Sequence, residues 1–238
     1  MTYRCQIKQP ISEGTKVTED QSVAMARTTK NSEIIQLAKQ LKGTPWCEEY
    51  ERMISGMLYN PLHPPLLAGR HRARCLLHKY NNLDPNSKPY DELMATQQEM
   101  LTDILGKVGP GTFIEPPFIP DYGCNVVIGE NCFINFNCTI LDTSLVIIGN
   151  RVQLVPNVSI YSAGHETSVL SRIKFVEFGD PVYIEDDAWI GGGSIVTKSI
   201  RPYAVAMGAP AKVVKKLQTV EEELADPNNA YRNMPDRQ

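Results

Sequence analysis

Several features that settle a function class at a glance are missing from this sequence. No apolar stretch approaches the length of a membrane span, and the N-terminus lacks the apolar core of a signal peptide. The expectation is a cytoplasmic protein with no membrane partner. Neither charge sign dominates: 24 Lys and Arg stand against 27 Asp and Glu, a net charge of −3, so nucleic acid is not expected as a partner. Cys5, Cys47, Cys75, Cys124, Cys132 and Cys138 contain no C-x2-C or C-x4-C pair. That spacing argues against a zinc knuckle or a disulfide framework and for free thiols. A strand-to-helix glycine loop that would cradle phosphate is also missing.

What is present is a period of six. Ile128, Ile134 and Ile140 keep that spacing, and after a two-residue insertion Ile148, Leu154 and Ile160 resume it. The same phase returns at Ile184, Ile190 and Val196, and Gly129, Gly149 and Gly191 each follow an aliphatic member directly. Six is neither a helical nor a hairpin period. It fits a parallel β-helix in which each hexad is one short strand plus a turn and three hexads complete a coil. The competing reading, sandwich strands with chance spacing, does not account for Gly or Asn directly after Ile128, Ile134, Ile148 and Ile190.

Around the repeat the chain changes character. Residues 1–32 are polar and aperiodic, which predicts a disordered tail, and Glu13, Glu19 and Asp20 make it too acidic for a transit peptide. Residues 33–108 are predicted to form a helical module. Trp46, Tyr50, Met53 and Met57 mark one apolar stripe, Leu66, Ala73, Leu76 and Leu77 a second, and Leu93, Met100, Leu101, Ile104 and Leu105 a third. P-P-F-I-P at Pro116–Pro120 is expected to end the last helix and open extended chain. Residues 109–217 are expected to form the β-helix domain. Residues 218–238 are expected to supply a short helix and a frayed tail.

Seven strings carry a family resemblance. M-I-S-G-M-L-Y-N-P-L (Met53–Leu62) and R-H-R-A-R-C-L-L-H-K-Y-N (Arg70–Asn81) precede E-P-P-F-I-P-D-Y-G-C-N-V-V-I-G (Glu115–Gly129) and F-I-N-F-N-C-T-I-L-D (Phe133–Asp142). P-N-V-S-I-Y-S-A-G-H (Pro156–His165), A-W-I-G-G-G (Ala188–Gly193) and G-A-P-A-K-V-V-K (Gly208–Lys215) complete the ordered set. Together they resemble the maltose, galactoside and nodulation-factor acetyltransferases, which are hexapeptide-repeat sugar O-acetyltransferases. The resemblance implies a mainly β fold, a left-handed parallel β-helix behind an N-terminal α-helical module. It also implies a homotrimer with acetyl-CoA as co-substrate bound between subunits and a sugar or similar small hydroxyl compound as acceptor.

His165 is the one histidine of the repeat. Imidazole titrates near neutrality and suits a base that removes a hydroxyl proton during acetyl transfer, and His165 matches the family's catalytic base. By the same resemblance Asn135, Asp121, Arg70 and Asn60 bind the acceptor, although relatives often carry Asp where this chain has Asn60. Arg72 and Arg74 are read as a solvated helix face. Trp189, Gly192, Thr197, Lys212 and Lys215 match the donor-binding positions. His63, His71 and His78 lie on the helical segments and are read as structural or solvated. No metal is expected: β-helical carbonic anhydrases hold zinc with three histidines, and this repeat offers one.

One departure concerns length. Relatives continue for three more hexads between W-I-G-G-G and G-S-x-V-T-K, whereas here Gly193 leads straight into S-I-V-T-K. The deficit is about eighteen residues, one whole coil, so the phase is kept. Two functions follow as alternatives: an acetyl-CoA-dependent O-acetyltransferase with His165 as base, or a catalytically silent β-helix that assembles or regulates other proteins after losing part of its donor site.

Overall fold

The computed structural model describes residues 26–235. Four helices come first: α1 (Ser32–Ala38), α2 (Glu48–Ile54), α3 (Pro64–Asn81) and α4 (Tyr90–Ile104). Local chemistry places their starts. The Asn31 side chain accepts from Glu33 N and Ile34 N at the head of α1, and Pro64 and Pro65 occupy the first turn of α3, where a missing N–H costs nothing.

The chain then winds into coils of three strands. The first holds β1 (Lys107–Val108), β2 (Phe113–Ile114) and β3 (Phe118–Pro120), and the second holds β4 (Val126–Ile128), β5 (Phe133–Ile134) and β6 (Cys138–Leu141). The third holds β7 (Val146–Ile148), β8 (Gln153–Leu154) and β9 (Ser159–Tyr161), followed by an excursion of β10 (Ala163–Gly164), α5 (Val169–Lys174) and β11 (Phe178–Gly179). The fourth holds β12 (Val182–Ile184), β13 (Trp189–Ile190) and β14 (Ile195–Val196). β15 (Ala204–Gly208) stacks on β13, β16 (Ala211–Lys216) turns back antiparallel along β15, and α6 (Val220–Ala225) follows.

Three sheets make the prism faces: β1-β4-β7-β12, β2-β5-β8-β13-β15-β16 and β3-β6-β9-β14. Every pair between coils is parallel and in register, so Ile128, Ile148 and Ile184 form one inward column. Ile134, Leu154 and Ile190 form the second, and Ile140, Ile160 and Val196 the third. All nine are buried. The period of six is thus the inward-facing position of each hexad.

Gly129 and Gly149, and the residues that follow them, are constrained by the coil beyond. The Asn150 side chain accepts from Glu130 N at 2.9 Å, and the Asp186 side chain accepts from Asn150 N at 2.8 Å. A Cβ on Gly149 would overlap the Asp186 carboxylate and lie 2.7 Å from the Asp186 backbone nitrogen. At another corner Asn137, Asn157 and Gly193 all have φ between 61° and 68°, a left-handed conformation that Asn and Gly tolerate. The Asn137 side chain donates to that of Asn157 at 3.2 Å.

Past Gly193 the phase does not slip. β14 lies directly against β9, Ile200 bridges to Ile184, and β15 lies directly against β13. The prism therefore closes with four full coils and part of a fifth. Its open first coil is covered by the module: Ala73, Leu77 and Tyr80 of α3 and Leu101 and Ile104 of α4 share one apolar core with Ile114 and Phe118. A second core joins α1 and α2 to the prism flank through Tyr50, Met53, Ile54, Tyr122 and Leu145.

Two boundaries differ from expectation. The last helix of the module ends at Ile104, and β1 and β2 precede the Pro116–Pro120 segment, so the first coil starts earlier than the prolines indicate. The expected tail at residues 1–32 lies mostly outside the described residues, but from Arg27 onward the chain touches the body. Arg27 N donates to Gly56 O at 2.7 Å, and the Arg27 side chain meets Asp180 at 3.3 Å.

The stacking predicts the effect of a single methyl group. Gly149→Ala should lower unfolding free energy by about 1–3 kcal/mol through overpacking. Urea denaturation is the check, with the midpoint falling while the slope stays the same.

Candidate active site

The corner that follows the third sheet gathers most of the polar chemistry. Successive coils bring Asp121, Asp142 and Ser162 to it, linked by Asp121 N to Ile140 O and Ser162 N to Leu141 O, each at 3.0 Å. Arg70, projecting from α3, donates through Nε to Asp121 Oδ1 at 3.0 Å, and its guanidinium sits 5.9 Å from the centre of the Tyr122 ring. Burial would depress the Arg70 pKa, but the Asp121 carboxylate outweighs it and the pKa is raised, so the guanidinium stays charged. Both side chains keep part of their surface in solvent, which leaves their remaining donors and acceptors available to a ligand.

His165 stands where the chain leaves this corner. β10 and β11 pair antiparallel and carry the excursion outward, and α5 ends at Phe175 in a left-handed conformation, φ 52°. His165, Glu166, Ser171, Arg172, Phe175 and Glu177 surround a cavity of about 330 Å3. Ser171 braces the bend, donating to Ser168 O at 2.7 Å and to Glu166 O at 3.2 Å.

The return limb is tied to the helical module. Tyr59 N donates to Glu177 O at 3.0 Å, and the Tyr59 hydroxyl donates to Glu177 Oε2 at 2.9 Å. Burial, with the neighbouring Glu177 carboxylate, pushes the Tyr59 hydroxyl far above its usual range and keeps it a donor. Asn60 is the next residue. Its side-chain oxygen accepts from Leu62 N at 3.0 Å, which leaves its amide nitrogen for other partners. Glu177 was not singled out by sequence reasoning. The signal was weak: an acidic residue just before the repeat resumes at Val182.

The other expected residues lie elsewhere on the prism. Asn135 and Gly192 share the corner between the second and third sheets, where Asn135 N donates to Leu154 O at 2.9 Å and the Asn135 side chain accepts from Phe136 N at 2.8 Å. Trp189 points outward from the second sheet, in register with Gln153 and Val205, beside a cleft of about 240 Å3 that also involves Arg151, Asp187, Tyr203 and Val220. Lys215 is opposite Val205 and Lys212 opposite Met207, so Lys215 lies two strands, about 10 Å, from Trp189. Both lysines are exposed on the last strand of their sheet, where charge also blunts an open edge. Thr197 follows β14 and is exposed at the corner used by His165, one coil further on.

The structure thus places Asp121, paired with Arg70, and His165 after the third sheet two coils apart, and Asn60 beside Tyr59, which meets Glu177. Asn135 and Gly192 occupy a second corner, and Trp189, Lys212 and Lys215 the sheet beyond that. Among the described residues no group of three or more His, Cys, Asp or Glu is placed to hold a metal ion, and no helix is long and apolar enough to cross a membrane.

Comparison with known proteins bears on the family and the fold. Residues 52–109 match the maltose acetyltransferase hexapeptide capping motif. Over 192 residues the chain is 32% identical to the galactoside O-acetyltransferase of Lactococcus lactis, covering 73% of this chain and 90% of that protein. Since 73% of 238 residues is about 174, some 18 of the 192 aligned positions have no counterpart here, a deficit the size of one coil. The crystal structure of a maltose O-acetyltransferase from Clostridium difficile superposes with a TM-score of 0.63 at 33% identity, covering 73% of this chain and 99% of that one. A hexapeptide-repeat acetyltransferase of Vibrio cholerae, solved with acetyl coenzyme A, gives a TM-score of 0.61 at 26% identity, covering 73% and 100%.

Proposed function

Because the chain belongs to the maltose and galactoside O-acetyltransferase family of hexapeptide-repeat proteins, we propose that it transfers acetyl from acetyl-CoA to a hydroxyl of a sugar or similar small molecule. The observation that carries the reading is the position of His165. It opens an excursion from the prism and faces a cavity that it shares with Glu177, and the chain at Glu177 is fastened back to the helical module at Tyr59.

In this mechanism His165 takes the acceptor's hydroxyl proton while that oxygen attacks the thioester carbonyl. The new C–O bond forms, the C–S bond breaks, and the imidazolium returns its proton to the departing thiolate. Glu177 lines the same cavity, its carboxylate held by the Tyr59 hydroxyl. Arg70 and Asp121 hold the acceptor through sugar hydroxyls, a guanidinium fork and a carboxylate being complementary to a pattern of donors and acceptors. Asn60 and Asn135 add neutral amides. Trp189, Gly192 and Thr197 flank the pantetheine arm, and Lys212 and Lys215 neutralise nucleotide phosphates as point charges.

A single protomer separates these groups. His165 and Asn135 stand at different corners with the third sheet between them, so one complete site draws residues from two copies, which supports a homotrimer. The exposed apolar side chains Val169, Leu170, Ile173 and Phe175 around α5 suit a surface that a neighbouring copy covers. Light scattering at micromolar concentration should return three times the 26.6 kDa chain mass. A monomer would reject the shared site.

His165→Ala should lower turnover by roughly a hundred- to ten-thousand-fold. Assembly and acetyl-CoA affinity should stay nearly unchanged. Steady-state kinetics beside calorimetric titration makes the check, and undiminished transfer in the variant would remove His165 from the mechanism.

The missing coil favours a second reading, a silent scaffold. Pantetheine lies along successive coils in this mechanism, and removing one brings Thr197 and Lys212 nearer to Trp189 while the fold stays intact. Inserting a relative's eighteen-residue coil after Gly193 should therefore strengthen acetyl-CoA binding, a tenfold gain corresponding to about 1.4 kcal/mol. If the natural chain already binds as tightly as the lengthened one in calorimetry, the scaffold reading loses its support.

A further inference from the structure

We propose that Asp142 is a positioning residue for the acceptor: its buried carboxyl sets the turn at residues 121–125 in the shape that clamps the Arg70 guanidinium. The inference rests on the reading that Arg70 and Asp121 bind the acceptor.

Asp142 follows β6 and is fully buried. One oxygen, Oδ1, accepts from both Asp121 N at 2.9 Å and Tyr122 N at 2.8 Å, and Oδ2 accepts from Asn125 N at 3.3 Å. The turn answers in kind, because the Asn125 side chain donates to Asp142 O at 2.7 Å. Asn125 Oδ1 in turn accepts from the Tyr50 hydroxyl of α2 at 2.8 Å. Buried polar atoms that satisfy one another in this way fix a single geometry.

The two residues hung on Oδ1 are the two that hold Arg70. Asp121 supplies the carboxylate at 3.0 Å, and Tyr122 supplies the ring beneath the guanidinium. A shift of the Asp142 carboxyl therefore moves both partners of Arg70 together, while His165, Trp189 and Lys215 have no bond to it. Comparable side-chain links at Asn150 and Asp186 join one coil to the next, whereas Asp142 also reaches the helical module through Asn125 and Tyr50.

Burial pushes the Asp142 carboxyl up to about 7, against the pull of the backbone N–H groups. Near neutrality its protonated form is therefore accessible, and asparagine is close to isosteric with that form. Asp142→Asn should keep the fold and Oδ1 while placing an amide N–H against Asn125 N–H, which loosens the turn.

The test is steady-state kinetics of the full chain with acetyl-CoA and an alkyl β-galactoside. Asp142→Asn should raise the acceptor KM about tenfold, with kcat and the acetyl-CoA KM within twofold of the natural protein. Tyr50→Phe, which removes only the bracing hydroxyl, should raise the acceptor KM by a few-fold in the same direction. A purely structural role would move all three constants together or none, and either outcome overturns the proposal. Asp121→Asn is the companion variant. If it leaves the acceptor KM unchanged, the acceptor reading of the Arg70–Asp121 pair fails and the proposal falls with it. If it raises that KM while neither Asp142→Asn nor Tyr50→Phe does, only the positioning role of Asp142 is rejected.

Discussion

The structure depends on backbone hydrogen bonds that run along the prism axis rather than along the chain. Gly129 N reaches Ile148 O, Gly149 N reaches Ile184 O, and Asn135 N reaches Leu154 O, each donor satisfied by the coil that follows. A coil by itself leaves these groups unpaired, which is costly once they are buried. Ends must therefore be covered: α3 and α4 close the first coil, and β15 with the returning β16 closes the last. The stack also dictates side chains, since the amides and carboxylates that link coils exclude a Cβ at Gly129 and Gly149.

The same rigidity decides where chemistry can sit. Inward positions are committed to packing and face centres to pairing, so corners and outward columns remain. The corner after the third sheet receives Asp121 from one coil, Asp142 from the next, and the His165 excursion from the third. The helical module packs against that corner and adds Arg70 and Tyr59. A cap needed for stability thus also forms one wall of the candidate site.

Legibility followed the range of the interactions. The three inward columns could be read because a period of six is local and repeats. β2 falls inside the expected β-helix domain at 109–217 and β1 just before it, but the first coil was not counted in the repeat although Val108, Ile114 and Pro120 keep the spacing, because a proline ends the row where an aliphatic residue was sought. The choice of His165 rests on its place as the lone histidine at a hexad's end, and that of Arg70 and Asp121 on resemblance. Their ion pair, the Tyr59–Glu177 fastening and the three bonds to Asp142 were not legible, since each links residues far apart in sequence whose partners carry no local pattern. The separation of Asn135 from His165 on one prism was hidden for the same reason. Both belong to motifs, and only the winding assigns them to different corners.

The unbroken phase after Gly193 has a consequence for how such a chain changes. A prism whose core repeats every three hexads changes its height only in whole turns, because residues inserted at a corner, like the His165 excursion, loop outward and leave the stacked strands in phase. Each turn is one strand spacing high, about 4.8 Å. The distance between groups on opposite sides of Gly193 is therefore quantised like the marks on a ruler: a ligand spanning them meets a site one notch shorter, with every remaining mark still aligned.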